Sequence, residues 1–137
     1  MTDTKKVIIV PCSGIGKTYG TVSREAAYEV VETLRPEETN LVSLSRLVMG
    51  DDGARAAVTG SQVIAIDGCA LACAKKMVEV SDGTLAKEFA VLDVYRRNRK
   101  LKPRGIAELN EGGQQLARVL AEEVSAVVDD LQGGEDA

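Results

Sequence analysis

Two short apolar runs, VIIV at residues 7–10 and VIAI at 63–66, do most to limit what this chain can become. Each is continuous rather than alternating and rich in β-branched residues. Each is cut off by a turn, Pro11-Cys12 after the first and Asp67-Gly68-Cys69 after the second. Runs of this kind suit strands covered on both faces, as in a parallel sheet. Helical patterns lie between them. Val22, Ala26, Val30 and Leu34 recur every four residues, with Ala27 and Val31 beside them, and predict a helix over 21–34 that Pro36 ends. A weaker strand is expected at 40–44, and a short helical piece at 46–58, interrupted by Gly50 and Gly53. A helix should run from Cys69 to about Val78, and a fourth strand over 90–94. A long last helix is expected over 113–131 on the stripe Leu116, Leu120, Val124, Val127 and Leu131, followed by six frayed residues.

Strands that alternate with helices make an α/β fold, here a small doubly wound, Rossmann-like parallel sheet of about four strands with helices on both faces. Right-handed crossovers restrict the topology, and the order 2-1-3-4 is expected. The chain's 137 residues suit a single domain, 1–137, with an ordered core of about 5–132. Aromatic residues are only 3%, so the core must be built from Val, Leu, Ile and Ala.

In such sheets the site lies beyond the carboxyl ends of the strands, where the strand order reverses. In the order 2-1-3-4, strands one and three are neighbours about 4.8 Å apart, and Cys12 after the first and Cys69 after the third emerge on the same edge, on adjacent loops. Cys73 follows Cys69 by one helical turn, on the same face. The first turn of a helix stabilises an anion, so the Cys69 thiol should titrate below the free value of about 8.5. Gly68 permits the sharp turn, and Asp67 is a candidate helix cap or second acceptor around the site, with Ser13 and Ser43 near it.

Other chemistries fit poorly. CSGIGKT at 12–18 ends like a phosphate-binding loop, but the first glycine of that pattern would fall on Pro11, which has no N–H to offer. The glycines at 14, 16 and 20 lack the dinucleotide spacing. No histidine is present, which removes Ser-His and Cys-His nucleophiles and leaves Ser13, Ser23 and Ser45 without a base. It also restricts side-chain metal ligands to sulfur and carboxylate. An odd count of three cysteines does not suggest a disulfide framework, and one regular helix disfavours a lasting Cys69–Cys73 bond. No apolar segment is long enough for a membrane span or a signal peptide, so the chain reads as cytoplasmic. The net charge of −4 argues against a general nucleic-acid binder. The dense basic run Arg96, Arg97, Arg99, Lys100, Lys102, Arg104 reads as a solvated loop paired with the acidic last helix. Lys17 and Arg24 read as solvated residues that could otherwise lower a thiol pKa.

Three sulfurs can hold zinc and leave one tetrahedral position open. The alternative is a thiol enzyme of redox or persulfide chemistry, with Cys69 as nucleophile and Cys12 or Cys73 resolving. An iron–sulfur cluster on three cysteines is a lesser option.

The segments PCSGIGKTYGTVSREAA and VIAIDGCALACAKK together resemble the DGC-domain family, to which zinc binding is attributed and whose name comes from Asp67, Gly68 and Cys69 here. The resemblance covers roughly residues 7–95. It implies a small α/β domain with zinc at cysteines clustered on one edge, matched by Cys12, Cys69 and Cys73. Members often carry a further cysteine opening a CLxxL-like segment; in SLSRL that position is Ser43. The fourth ligand would then be water, Asp67, a small thiol or a residue of a protein partner.

Overall fold

A computed structural model describes residues 6–12, 18–68, 73–81, 83–105 and 108–135. Four strands form one parallel sheet: β1 (Val7–Pro11), β2 (Thr39–Leu41), β3 (Gln62–Asp67) and β4 (Thr84–Ala90). Their order is β2-β1-β3-β4, as the alternation of runs predicts. Both central strands are buried on both faces, which accounts for their unbroken apolar sequences.

Helices cover the two faces. Val7, Ile9, Ile64 and Ile66 point into one cluster, covered by α1 (Thr18–Glu29), α5 (Val91–Arg96) and α6 (Glu111–Glu135). Ile8, Val10, Val63 and Ala65 point into the other, covered by α2 (Leu44–Val48), α3 (Asp52–Val58) and α4 (Cys73–Val80). The predicted face of the first helix is the one that is buried, with Val22, Ala26, Ala27 and Val30 inside. This helix starts three residues earlier than expected. Its last turn, Val30–Leu34, widens to π spacing, with the Arg35 N–H donating to the Val30 carbonyl at 2.7 Å.

The fourth strand is a correction. Residues 91–94 are not a strand: Val91, Val94 and Tyr95 follow helical spacing and put α5 on the core. The strand lies just before them, at Thr84–Ala90, and carries a bulge where Val63 pairs with Leu85 but Ile64 pairs with Lys87. The extra residue flips the side-chain alternation, so Leu85 packs against one cluster and Phe89 against the other. This is also an edge strand with Lys87 and Glu88 exposed. Neither a continuous nor a strictly alternating pattern is left to read.

Two smaller boundaries also shift. β2 ends at Leu41 and its ladder closes with Val42 N–H donating to the Ile9 carbonyl at 3.0 Å, so Leu44 opens α2 rather than ending a strand. The helical piece at 46–58 is two helices, separated at Gly50, whose φ of +75° suits glycine. The last helix extends from Glu111 to Glu135, beyond the expected 113–131, so the frayed end predicted from residue 132 is helical through 135. Its stripe is Leu116, Leu120, Val124 and Val128. The basic run does reach it, through Arg97 paired with Glu123 at 3.0 Å.

Candidate functional site

The carboxyl edge of the sheet brings four chain segments together. The β1–β3 ladder runs one bond past Pro11, with Cys12 N–H donating to the Ile66 carbonyl at 2.7 Å. Strand alternation then sets Cys12 on the face of Ile8 and Val10, the face α4 covers. Cys12 is 4% exposed. Its carbonyl oxygen lies 3.1 Å from Ser23 Oγ, which is also 2.7 Å from the Gly20 carbonyl, so one hydroxyl proton serves two acceptors. This ties the start of α1 to the end of β1. The sequence signal was a serine on the buried side of an amphipathic helix, where a solvated hydroxyl would be out of place.

Asp67 ends β3 on the same face and is 2% exposed. Its carboxylate accepts from Ala74 N–H at 2.8 Å and Lys75 N–H at 3.3 Å, in the first turn of α4. The expectation that Asp67 caps this helix is met by that geometry. Burial pushes its carboxyl above the ordinary aspartate range, and Glu88 adds to the rise; the two amides and Lys75 act against it. Asp67→Ala strips the acceptor from two amides and should lower stability by about 1–2 kcal/mol. Asp67→Asn keeps one acceptor and removes a buried charge, so it should lose less. Thermal melting of both variants checks the order.

Gly68 follows, pressed against the first turn of α1. A β-carbon there would stand 2.8 Å from Tyr19 C, Tyr19 O and Gly20 N. The glycine thus sets how closely β3 approaches α1, and Tyr19 packs in turn at a tilt against Tyr95 of α5, with centroids 6.0 Å apart. Cys73 opens α4, half-buried and packed against the α2–α4 cluster. Ser43 stands after β2 at the same edge, 3.4 Å from Ser45 Oγ, and precedes α2 without capping it by its side chain. Arg24 points along α1, donating to Thr21 Oγ1 at 3.2 Å.

Cys12, Asp67, Cys73 and Ser43 therefore share one edge of the sheet. Cys69, Ser13 and Lys17 lie outside the described residues, and so do the expected helix start at Cys69 and the acidity expected of its thiol. Among the described residues, no group of three or more Cys, Asp or Glu is placed to hold a metal. None of the described helices is long and apolar enough to cross a membrane.

A family model for the DGC domain matches residues 8–128, from β1 to the last turns of α6. The chain belongs to the DGC-domain family. No curated protein and no solved structure gives a significant match. The DGC domain thus takes in the whole sheet and both helical layers. Its eponymous Asp-Gly-Cys begins with the two residues whose contacts are described above, one holding α4 and the other meeting α1.

Proposed function

We propose that this DGC domain is a metal-binding module that holds zinc through the thiolates of Cys12, Cys69 and Cys73 at the carboxyl edge of the sheet. One observation carries the reading: Cys12 and Cys73 belong to different elements yet occupy the same edge on the α4 face, with the Asp67 cap fixing α4 against β3. Cys69 is next to Gly68 in sequence, between the two. The donor set suits the metal, since a chain without histidine offers soft sulfur ligands, which zinc accepts readily. Both Asp67 oxygens already accept from amides of α4. This favours water, a small thiol or a partner's residue as the fourth ligand. Ser43 at the position where relatives often carry cysteine supports the same open coordination.

In this role, Cys12 supplies a ligand from a rigid strand end, while Asp67 fixes α4, which carries Cys73, against β3, and Gly68 sets how closely β3 approaches α1. Zinc would supply Lewis acidity and an exchangeable position, as needed to store metal, pass it on or bind a sulfur-containing ligand.

The test is metal content and melting. Protein purified anaerobically without chelator should carry zinc near one equivalent. The reduced, metal-free protein should melt higher when zinc is added, because a ligand at a thousand times its dissociation constant stabilises the native state by about 4 kcal/mol. Iron with a visible chromophore would instead indicate a cluster. Absence of metal and of any zinc-dependent shift would overturn the proposal in favour of the thiol enzyme with Cys69 as nucleophile.

A further inference from the structure

The basic run has two halves. Arg96 pairs with Asp93 at 3.6 Å and Arg97 pairs with Glu123 through both guanidinium nitrogens, at 3.1 and 3.0 Å. Arg99, Lys100, Lys102 and Arg104 are all exposed, and none has an ion-pair partner among the described residues. Such cations would ordinarily sit on a pliant loop. Here the loop is held. A short 3-10 turn, Arg99–Leu101, leads into Lys102, whose φ of 46° makes it the single left-handed residue other than glycine among those described. Asn110 closes the loop. Its Oδ1 accepts from Arg104 N–H at 2.9 Å and from Gly113 N–H at 2.8 Å, its Nδ2 donates to the Lys102 carbonyl at 3.2 Å, and its own N–H donates to the Arg104 carbonyl at 2.9 Å. Gly112 leaves room for the Leu101 carbonyl, which any side chain there would strike. The start of α6 and the basic loop thus lock together.

We propose that Arg99, Lys100, Lys102 and Arg104 form a preorganised docking surface for an acidic segment of a partner protein. Holding four unneutralised cations on a fixed backbone removes part of the ordering cost of binding. None of the four lines the roughly 280 Å³ cavity between α1 and α6, which is walled by Glu25, Glu29 and Glu108 with Arg118. The ligand therefore lies across a surface rather than entering that cleft. The chain is −4 overall, and with the six cations of residues 96–104 set aside the remainder is −10. A long polyanion would run past that acidic remainder, whereas a short carboxylate-rich segment need touch only the loop. Tyr95 is the one aromatic residue in 91–104, and its ring already packs at a tilt against Tyr19, so the loop offers bases no row of aromatic faces.

The test uses the full chain and two labelled probes of equal length, a dodecamer of glutamate and a dodecamer of deoxythymidine, read by fluorescence anisotropy at low and high salt. The glutamate peptide should bind more tightly than the oligonucleotide and weaken with salt. The variant Arg99→Ala/Lys100→Ala/Lys102→Asn/Arg104→Ala should bind it at least about ten-fold less well, with unchanged melting because all four side chains are exposed. Arg118→Ala, an equally exposed cation elsewhere, should bind as wild type. Asn110→Ala keeps every charge and frees the loop; a several-fold loss is expected if the fixed backbone matters. No binding of the peptide at low salt, tighter binding of the oligonucleotide, or full affinity in the four-residue variant would each overturn the proposal.

Discussion

Serine at position 12, 69 or 73 should lower zinc affinity by more than about a hundred-fold in each case. Loss of an outer-sphere partner already costs a metal site roughly ten- to a hundred-fold, and each of these substitutions would remove a ligand of the proposed site. The three variants should nonetheless differ when no metal is present. Cys12 is buried, so Cys12→Ser puts a stronger hydrogen-bonding group in a site closed to water and should cost about 1 kcal/mol or more. Cys73 is only half-buried and should cost less. The reading that matters is therefore the zinc-dependent rise in melting temperature, measured for each variant against its own metal-free form. Zinc takes thiolate rather than thiol ligands, so binding at the proposed site should also release protons. A thiol enzyme predicts another pattern, in which Cys69→Ser alone abolishes turnover and a resolving-cysteine variant accumulates a mixed disulfide.

Gly68→Val should lower stability by about 3 kcal/mol, a fall in melting temperature of about 10 °C for a domain of this size. The clash is with backbone. A new Cβ would meet the Tyr19 carbonyl group and the Gly20 nitrogen at 2.8 Å, and neither can rotate aside as a side chain would. Either β3 must retreat or the first turn of α1 must, and that turn is bonded through Ser23 to the Cys12 carbonyl. The displacement therefore passes to both cysteine-bearing loops. Gly68→Ala should show a milder loss of stability with a clear loss of zinc affinity. Wild-type melting in both variants would show that the α1 contact yields.

Much of this architecture was legible because its central strands are simple. VIIV and VIAI are buried on both faces and carry no competing pattern, and the order of the sheet followed from them. The edge strand was not legible, because the bulge after Leu85 sends Leu85 and Phe89 to opposite faces and breaks the period. The apolar run after it, Val91–Val94, looked like a strand until the burial of Val91 and Val94 with Tyr95 against the core revealed helical spacing. At the candidate site, the shared edge of Cys12 and Cys73 and the capping by Asp67 could be read from strand ends and spacing. Ser23 left only a hint, a hydroxyl on the buried side of a helix, and its partner, like the meeting of Gly68 with Tyr19, depends on tertiary distances that no local pattern encodes. The role of Cys69 rests on its place in the sequence alone.

The helix that completes the larger cluster follows all four strands and the other helices described in the sequence. Ile9, Ile64, Val22 and Ala26 can be in place once β3 has formed, but their cover is Leu116, Leu120, Val124 and Val128. At roughly 5–20 residues per second, a nascent chain waits seconds between making the sheet and making that cover. During this interval the face of Ile9 and Ile64 has the cover of α1, and later of α5, but lacks the stripe of α6. A ribosome-bound chain stopped before α6 thus leaves part of this cluster uncovered, an adhesive apolar patch that persists until the helix docks.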